Sequence, residues 1–274
     1  MTDISEWQGR TGKAWAEEWR RTDRSFGQLT ERLLADTRKF AFRRVIDVGC
    51  GAGELSLAIA RGRSDATVNG IDVSDALIDV AQKRSASLAN VAFECADAAR
   101  WTSDRASAPD FVVSRHGVMF FAQPADAFAH LAKQCAADSG MLFSCFRKRS
   151  ENPFFSEVMR LLPEPPDTAD ATAPGPFAFA DPDHLCSILA NAGWTDIVLV
   201  PFDFPMIAGA GEDAVSDALA YWQRIGPVAR AASELDVLAR ERLFDRIRRL
   251  AERHDHDGIV ALPAAAWIVT ARRA

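Results

Sequence analysis

The sequence lacks an excess of positive charge and lacks long apolar runs. Its 32 Lys and Arg residues are outnumbered by 38 Asp and Glu residues, so the net charge is −6. Proteins that follow a phosphate backbone usually carry a basic surface, and we therefore expect no nucleic-acid partner. No apolar run reaches the roughly 18 residues that would indicate a transmembrane helix. We therefore expect no membrane span.

Cysteine is scarce and scattered. The five cysteines show neither CxxC nor metal-ligand spacing, so the sequence predicts no metal site. Their odd number and their position in apolar runs are typical of free thiols in a reducing compartment. The N-terminus also lacks the apolar core of a signal peptide. Together these features predict a cytoplasmic protein.

Apolar residues are abundant, at 48% of the 274 residues, and they follow an alternating pattern. Short apolar runs that indicate strands alternate with stretches of helical periodicity. This alternation predicts an α/β fold, a Rossmann-like and mostly parallel seven-stranded sheet with helices on both faces. The predicted strands are 43–49, 66–73, 91–97, 110–116, 140–146, 196–202 and 264–273, and the helices between them are 53–62, 74–88, 124–135 and 181–193.

Three segments fall outside this alternation, and we expect them to cover the sheet or the site. In the first, Trp15, Trp19, Phe26, Leu29 and Leu33 form one stripe of an amphipathic helix. The alternative is that these side chains are ordinary core. The predicted organisation is an N-terminal helical cap (1–40), a core (41–147), a flap or insertion (148–180), more core (181–207), a helical lid insertion (208–257) and the last core strand (258–274).

The stretch VIDVGCGAGE contains a glycine-rich loop directly after the first strand. Gly49, Gly51 and Gly53 read G-x-G-x-G, whereas the dinucleotide fingerprint is G-x-G-x-x-G and the P-loop needs a following lysine. Asp47 lies two residues before the first glycine, where it would repel a phosphate. A carboxylate there suits a ligand that carries positive charge and no phosphate. S-adenosylmethionine, with its ammonium and sulfonium groups, meets both conditions.

Two more acids lie at the ends of the next two predicted strands. A carboxylate at Asp72 can accept hydrogen bonds from both ribose hydroxyls, a feature that also suits NAD. An acceptor at Asp97 can take a proton from the adenine amino group. Either residue alone could instead be a helix N-cap. Three acids at successive strand ends, together with the glycine loop, favour S-adenosylmethionine.

These motifs also resemble a known family. VIDVGCGAGE, GIDVS and ECADA resemble the class I S-adenosylmethionine-dependent methyltransferases. WQGRTGKAW, SRHGVMFFAQPADAFAHLAK, CFRKRSENPFF and ALPAAAWIVTARR resemble a bacterial branch related to the ubiquinone and menaquinone C-methyltransferases. The resemblance implies an antiparallel last strand, S-adenosyl-L-methionine as the cofactor and S-adenosyl-L-homocysteine as the product.

The resemblance further implies roles for individual residues. The three glycines would pass the backbone beneath the methionine and ribose, Asp47 would hold the ammonium group, and Asp72 the ribose hydroxyls. Trp15 would close over the methionine end, and Asp97 would contact the adenine. The cofactor-binding set implied in this way is Trp15, Asp47, Gly49, Cys50, Gly51, Gly53, Asp72, Val73, Asp97, Ala98 and Arg115.

On the acceptor side the sequence departs from the family at one position. His116 stands where the branch usually has phenylalanine. It is a candidate general base, because imidazole titrates near neutral pH, or else one ring that replaces another. Arg115 or Arg147 could bind a carboxylate or phenolate of the acceptor. The predicted apolar acceptor pocket consists of Phe120, Phe121, Met206, Tyr221 and Trp222.

The sequence thus predicts an enzyme that transfers a methyl group from S-adenosylmethionine to oxygen, carbon or nitrogen of a small organic acceptor, by in-line displacement. Three alternatives stay open. One is a macromolecular methyltransferase acting on tRNA or protein, and another is an NAD(P)-dependent oxidoreductase. The third is a non-catalytic module that binds S-adenosylmethionine. The stretch HDHDG at 254–258 contains possible metal ligands but is interpreted as a solvated loop.

Overall fold

A computed structural model describes residues 4–163 and 172–274. Its central sheet has the order β3-β2-β1-β4-β5-β8-β6, and the short β7 pairs with β8. Strands β1 to β5 are mutually parallel, whereas β8 is antiparallel to both of its neighbours, β5 and β6. The predicted α/β class and the antiparallel last strand are confirmed. The strands are β1 Arg44–Val48, β2 Thr67–Asp72, β3 Val91–Cys95, β4 Phe111–Arg115, β5 Gly140–Phe146, β6 Trp194–Ala210, β7 Asp255–His256 and β8 Ile259–Arg273.

Helices between the strands lie close to their predicted positions. Ser74 caps α6, since its side chain accepts a hydrogen bond from the Leu77 amide at 3.4 Å, and Pro124 opens α7. The described helices are α1 Ile4–Gln8, α2 Arg10–Glu17, α3 Trp19–Ser25, α4 Gly27–Thr37, α5 Glu54–Gly62, α6 Asp75–Arg84, α7 Pro124–Gln134, α8 Pro153–Met159, α9 Pro182–Asn191, α10 Ala214–Arg224, α11 Gly226–Glu234 and α12 Val237–Arg253.

The N-terminal segment differs from its prediction, because the amphipathic helix expected over 15–33 is divided among α2, α3 and α4. The breaks between these helices let side chains of one stripe face different environments. Leu29 and Leu33 are fully buried, while Trp15 and Trp19 are half-buried. Helix α2 packs directly on the start of α6, since a Cβ at Gly12 would lie 2.2 Å from Ser74 Oγ. The segment therefore folds around the core instead of running along one edge.

The second large difference is a long two-stranded arm formed by β6 and β8. Their pairing continues from Trp194↔Arg273 to Ala210↔Ile259, well beyond the part of β8 that also pairs with β5. Strand β6 therefore passes the predicted boundary at 207. Helix α10 lies on this arm with almost no space between, because a Cβ at Gly209 would meet the Ala214 carbonyl oxygen at 1.9 Å.

The second half of the predicted lid insertion contains two helices, α11 and α12. Asp236 caps α12 by accepting a hydrogen bond from the Ala239 amide at 2.8 Å, which starts a new helix there. The HDHDG stretch is β7 and a two-residue hairpin turn at Asp257 and Gly258, whose φ angles are 52° and 76°. No group of three metal-ligating side chains occurs among the described residues.

Two other expectations concern less regular parts of the chain. None of the helices in the described ranges is long and apolar enough to cross a membrane. The predicted flap, 148–180, contains α8 and, from 172 onward, turns and bends. Residues 164–171 of this predicted flap lie outside the described residues.

Candidate active site

The site lies where the loops after β1 and β4 meet, at the carboxyl ends of these neighbouring strands. A Cβ at Gly49 would lie 2.7 Å from Gly117 Cα, and a Cβ at Gly117 would lie 2.5 Å from the Val48 carbonyl oxygen. The two backbones therefore touch, and only glycine fits on either side. This is the switch point of the sheet, the usual place for a ligand in an open α/β fold.

The glycine-rich loop after β1, here called the cradle, lines the cavity and is held in place by Asp72. Gly51 has a φ angle of 56°, and its missing side chain would point into open space. Its amide donates a hydrogen bond to Asp72 Oδ2 at 2.9 Å, while Asp72 Oδ1 accepts one from the Ser74 amide at 2.9 Å. Asp72 thus ties the loop after β1 to the loop after β2, and its carboxylate lies at the cavity wall.

Asp47 is the buried acid beneath this cradle. Its Oδ2 accepts a hydrogen bond from Ser56 Oγ at 2.6 Å, whereas Oδ1 is buried without a hydrogen-bond partner among the described atoms. Burial raises the pKa of Asp47 to about 6. An unpaired carboxylate oxygen at a cavity wall fits a ligand with an ammonium group.

The remaining predicted cofactor residues line the same cavity, with the exception of Gly53, which packs inward: a Cβ there would lie 2.7 Å from the Phe93 ring. Asp97 Oδ1 accepts a hydrogen bond from the Ala99 amide at 2.9 Å, and Val73 and Ala98 lie beside it. Cys50 is buried in the loop, and burial raises the pKa of its thiol. The three acids that the sequence analysis selected therefore converge on one space. Together with the Gly51 cradle, these residues fit S-adenosylmethionine.

This cavity encloses about 1840 Å³. A site for one drug-sized ligand usually has roughly 300–1,000 Å³, so the space admits a cofactor and a second molecule. Beyond the glycine loop its wall is largely aromatic. The aromatic residues that line it are Trp7, Trp15, Trp19, Phe26, Phe120, Phe121, Phe146, Phe155 and Phe177.

A cluster of ion pairs, here called the cap network, joins α3 to the cofactor loops; it consists of Asp23, Glu54, Arg84 and Arg115. Asp23 Oδ2 lies 2.9 Å from Arg84 and its Oδ1 3.3 Å from Arg115. Arg84 also pairs with Glu54 at 2.5 Å, and Arg115 donates to Thr30 Oγ1 at 2.8 Å. Burial raises the pKa of Asp23 to about 6 although both arginines oppose it. Arg115 thus lines the cavity with its charge already paired.

His116 lies beside the Gly49–Gly117 contact in a left-handed conformation, with φ at 66°. Its ring stacks on Phe146 at 4.1 Å, and Nδ1 lies 3.4 Å from Ser144 Oγ. Nε2 is buried without a hydrogen-bond partner in the described structure. Burial lowers the pKa of His116 to about 3, so the ring is neutral near pH 7. A group with so low a pKa is a weak proton acceptor.

The predicted acceptor pocket is only partly reproduced. Phe120 and Phe121 line the cavity, but Met206, Tyr221 and Trp222 do not; they are buried in the core. Because α10 packs on the β6 arm, its apolar face turns inward, where the Tyr221 hydroxyl donates to Thr22 Oγ1 at 3.2 Å. The prediction for these three residues is corrected accordingly.

Sequence reasoning also missed residues that do line the cavity. Arg147, a candidate for anion binding, instead pairs with Glu151 and with Asp203 at 2.7 Å, while Arg149 reaches the cavity. Phe146 could have been found, because it ends a strand at the ligand-binding edge of the sheet. Phe26 belongs to the predicted N-terminal stripe, whereas no local pattern marks Phe155 or Phe177.

Comparison with known proteins agrees with this geometry. A family model described as "Methyltransferase domain" matches residues 45–140. A trans-aconitate 2-methyltransferase of Methylobacterium radiotolerans is 44% identical over 80 residues, 29% of either chain. One of Methylobacterium nodulans is 26% identical over 244 residues, 88% of this chain and 91% of the relative. In four of the curated relatives, the match covers only 29% to 40% of the relative's length.

Among solved structures, phosphoethanolamine N-methyltransferase 2 of Haemonchus contortus, in complex with S-adenosyl-L-methionine, shares the fold. The TM-score is 0.58 at 14% identity, over all of this chain and 60% of that one. The fold and the site define a Rossmann-like protein that binds S-adenosylmethionine as its cofactor. Residues 45–140 are a methyltransferase domain of the class I S-adenosylmethionine-dependent type, as the motifs predict.

Proposed function

We propose that this protein transfers a methyl group from S-adenosylmethionine to a small organic acceptor by in-line displacement. The observation that carries the proposal is the convergence of Asp47, Asp72 and Asp97 on a cavity that continues into an aromatic space. Asp47 would hold the ammonium group, Asp72 the ribose hydroxyls, and Asp97 the adenine edge. When bound, the cofactor supplies a methyl group already activated on a sulfonium.

The protein's own contribution is then mainly to orient the acceptor and to exclude water. Correct orientation can lower a barrier by roughly 7–11 kcal/mol. The aromatic wall, including Phe120 and Phe146, suits this task because it is rigid and apolar. We propose that His116 belongs to this wall as a ring, since its low pKa makes it a poor general base.

The names of the relatives support a small molecule as the acceptor, since both Methylobacterium proteins are named for trans-aconitate. The acidic balance of the chain and the partly enclosed aromatic space favour the same class over tRNA. The cytoplasmic location expected from the sequence stays a prediction.

Two measurements on the purified protein test the proposal. Titration calorimetry with S-adenosylhomocysteine should show binding, and NAD should show none. Label transfer from methyl-labelled S-adenosylmethionine should then occur to members of a panel of phenols, quinols, amines and carboxylic acids, trans-aconitate included. Binding of NAD with no binding of S-adenosylhomocysteine would overturn the proposal. So would label that enters only tRNA or protein.

A further inference from the structure

The turn after β5 carries a cation into the aromatic part of the cavity. The Arg149 guanidinium lies over Phe177, with Cζ 5.1 Å from the ring centroid, and its NH1 is 3.6 Å from Met159 Sδ. Within the described ranges, no carboxylate forms an ion pair with it. Its surroundings in the cavity are therefore a ring and a thioether.

Arg149 differs in its pairing from Arg84, Arg115 and Arg147. Arg84 and Arg115 belong to the cap network, and Arg147 pairs with Glu151 and Asp203. Arg149 is half-buried, and burial lowers its pKa with no acid to offset the effect. A partly desolvated cation without a counterion gains most from a ligand that brings a negative charge.

The turn that carries Arg149 is held firmly in place. Asn152 is fully buried, and its Nδ2 donates to the carbonyl oxygens of Lys148 at 3.0 Å and Ala265 at 3.2 Å. Its Oδ1 accepts a hydrogen bond from the Ala265 amide at 2.8 Å. One side chain thus fastens the turn to β8, so the Arg149 backbone is positioned before any ligand arrives.

A continuous aromatic wall connects this cation with the cofactor loops. His116, beside the Gly49–Gly117 contact, stacks on Phe146 at 4.1 Å, and Phe146 lies 6.0 Å from Phe177. Phe155 contacts the same two phenylalanine rings, at 4.9 and 5.5 Å. The wall therefore begins at the cofactor end of the cavity and ends at the guanidinium.

We propose that Arg149 binds a carboxylate group of the acceptor, whose apolar or aromatic body lies along Phe146, Phe155 and Phe177. The nucleophilic atom would then lie at the opposite end, towards the glycine loop. A guanidinium can bind a carboxylate through two parallel N–H donors, which fixes the direction of the acceptor as well as its charge. This inference rests on the proposed methyl transfer and names the acceptor's class.

The test measures binding, not turnover, so that it does not depend on knowing the true acceptor. The probes are 3-phenylpropanoate and trans-cinnamate, their neutral amides, and succinate as an acid without an apolar body. Each is titrated by calorimetry into protein saturated with S-adenosylhomocysteine. We expect the aryl acids to bind at least about tenfold more tightly than their amides and than succinate, the size of one charge-assisted hydrogen bond.

Variants assign the preference to one side chain. Arg149→Gln should reduce the acid-to-amide ratio to less than about threefold, and Arg149→Lys should keep an intermediate ratio because it retains the charge but not the paired donors. Arg160→Gln is the matched control, since Arg160 is exposed at the end of α8 and does not line the cavity. It should leave the ratio unchanged.

The outcomes separate this inference from the proposed function. If the unmodified protein fails to bind S-adenosylhomocysteine, the proposed function is wrong. If S-adenosylhomocysteine binds but the acids have no advantage over the amides, or keep it in Arg149→Gln, the assignment of Arg149 is overturned. Unchanged melting temperature and S-adenosylhomocysteine affinity in Arg149→Gln would show that the variant is folded.

Discussion

The cofactor side and the acceptor side of the cavity are built in different ways. Residues 45–98 form the cofactor side, and each of the three strands in this range has an acid at or near its carboxyl end. The acceptor side comes from distant segments: α1 to α3, the loops after β4 and β5, and the start of α11. The first depends on backbone turns that only certain residues allow, the second on where packing puts long side chains. Local sequence therefore specifies the cofactor side far more strongly.

Each side of the cavity contains a charged group that lacks an oppositely charged partner, and the two groups have opposite signs. Asp47 presents a buried oxygen without a partner, and Arg149 presents a guanidinium without an acid. Between them, the cap network balances its own charges. These two groups lie at opposite ends of the cavity, where ligand groups of opposite sign would pair with them. The following experiments separate the contributions of the two sides.

The largest effect is expected at the contact between the two loops. Gly117→Ala places a Cβ 2.5 Å from the Val48 carbonyl oxygen and 2.8 Å from Gly49 Cα. Since backbone cannot move aside easily, we expect a loss of about 3 kcal/mol in the free energy of unfolding, as in other overpacked sites. Urea denaturation measures this loss. Gly27→Ala is the control, because a Cβ added there would have no atom within 4 Å and its effect should be small.

Asp47→Asn should weaken the cofactor side specifically. Loss of the charge that faces the ammonium group should cost about 2 kcal/mol of binding, or roughly 30-fold in the dissociation constant of S-adenosylhomocysteine. Calorimetry measures this, with the exposed Asp79→Asn as control. An unchanged affinity would remove Asp47 from the proposed site.

The same variant should alter the pH dependence. The pKa of Asp47 is raised from 3.8 to about 6, so between these values the native state binds more protons than the unfolded state. This group therefore makes the ligand-free protein less stable as pH rises through that window, while cofactor affinity rises with the carboxylate charge. Asp47→Asn should flatten both trends. Identical profiles in the two proteins would contradict the assignment.

Asp23→Asn should weaken the contact between α3 and the cofactor loops, and its effect should be smaller than that of Asp47→Asn. Removing the charge leaves Arg115 without an acid, while Arg84 keeps Glu54. We expect about 1 kcal/mol of weakening, seen as faster amide hydrogen exchange in α2 and α3 but not in β1 to β5. Glu17→Gln removes only an exposed pair with Arg224 and should change neither region. Uniform acceleration across the chain would argue against a local role.

His116→Phe should have the smallest effect. The variant keeps a ring against Phe146 and removes a buried nitrogen without a partner. We expect kcat to stay within about threefold, without a new pH dependence above pH 6, since loss of a true general base costs roughly 10²–10⁴-fold. A loss in that range, with disappearance of an acidic limb in the pH–rate profile, would restore His116 as the base.

The sequence predicted the sheet and the cofactor side because both rest on short-range patterns. Asp47, Asp72 and Asp97 are recognisable from their place after apolar runs, and the parallel topology then brings them together. The sequence did not predict that side chains of one helical stripe would face two different environments. The tryptophans and leucines of residues 15–33 share a helical period, yet α2, α3 and α4 turn them towards the cavity or the core.

The errors on the acceptor side have one physical cause. Tyr221 and Trp222 look like pocket residues, but Gly209 lets α10 approach the β6 arm so closely that its apolar face becomes core. Arg147 and Arg149 are two residues apart. Arg147 pairs with Glu151 and Asp203, which leaves Arg149 available to bind a ligand. Such information lies in long-range contacts.

Strand β8 has a consequence for the order in which the protein can assemble. Its residues 266–272 pair with β5 on one side and β6 on the other, while residues 259–265 pair with β6 and, at 259 and 260, also with β7. Strands β1 to β5 can pair as their residues become available, but β6 joins the sheet only through β8. More than a hundred residues separate the partners Gly140 and Arg272, so this closure bears a large loop entropy. The turn that carries Arg149, which Asn152 fastens to Ala265 of β8, should therefore be fixed last, after the strands that carry the cofactor loops have paired.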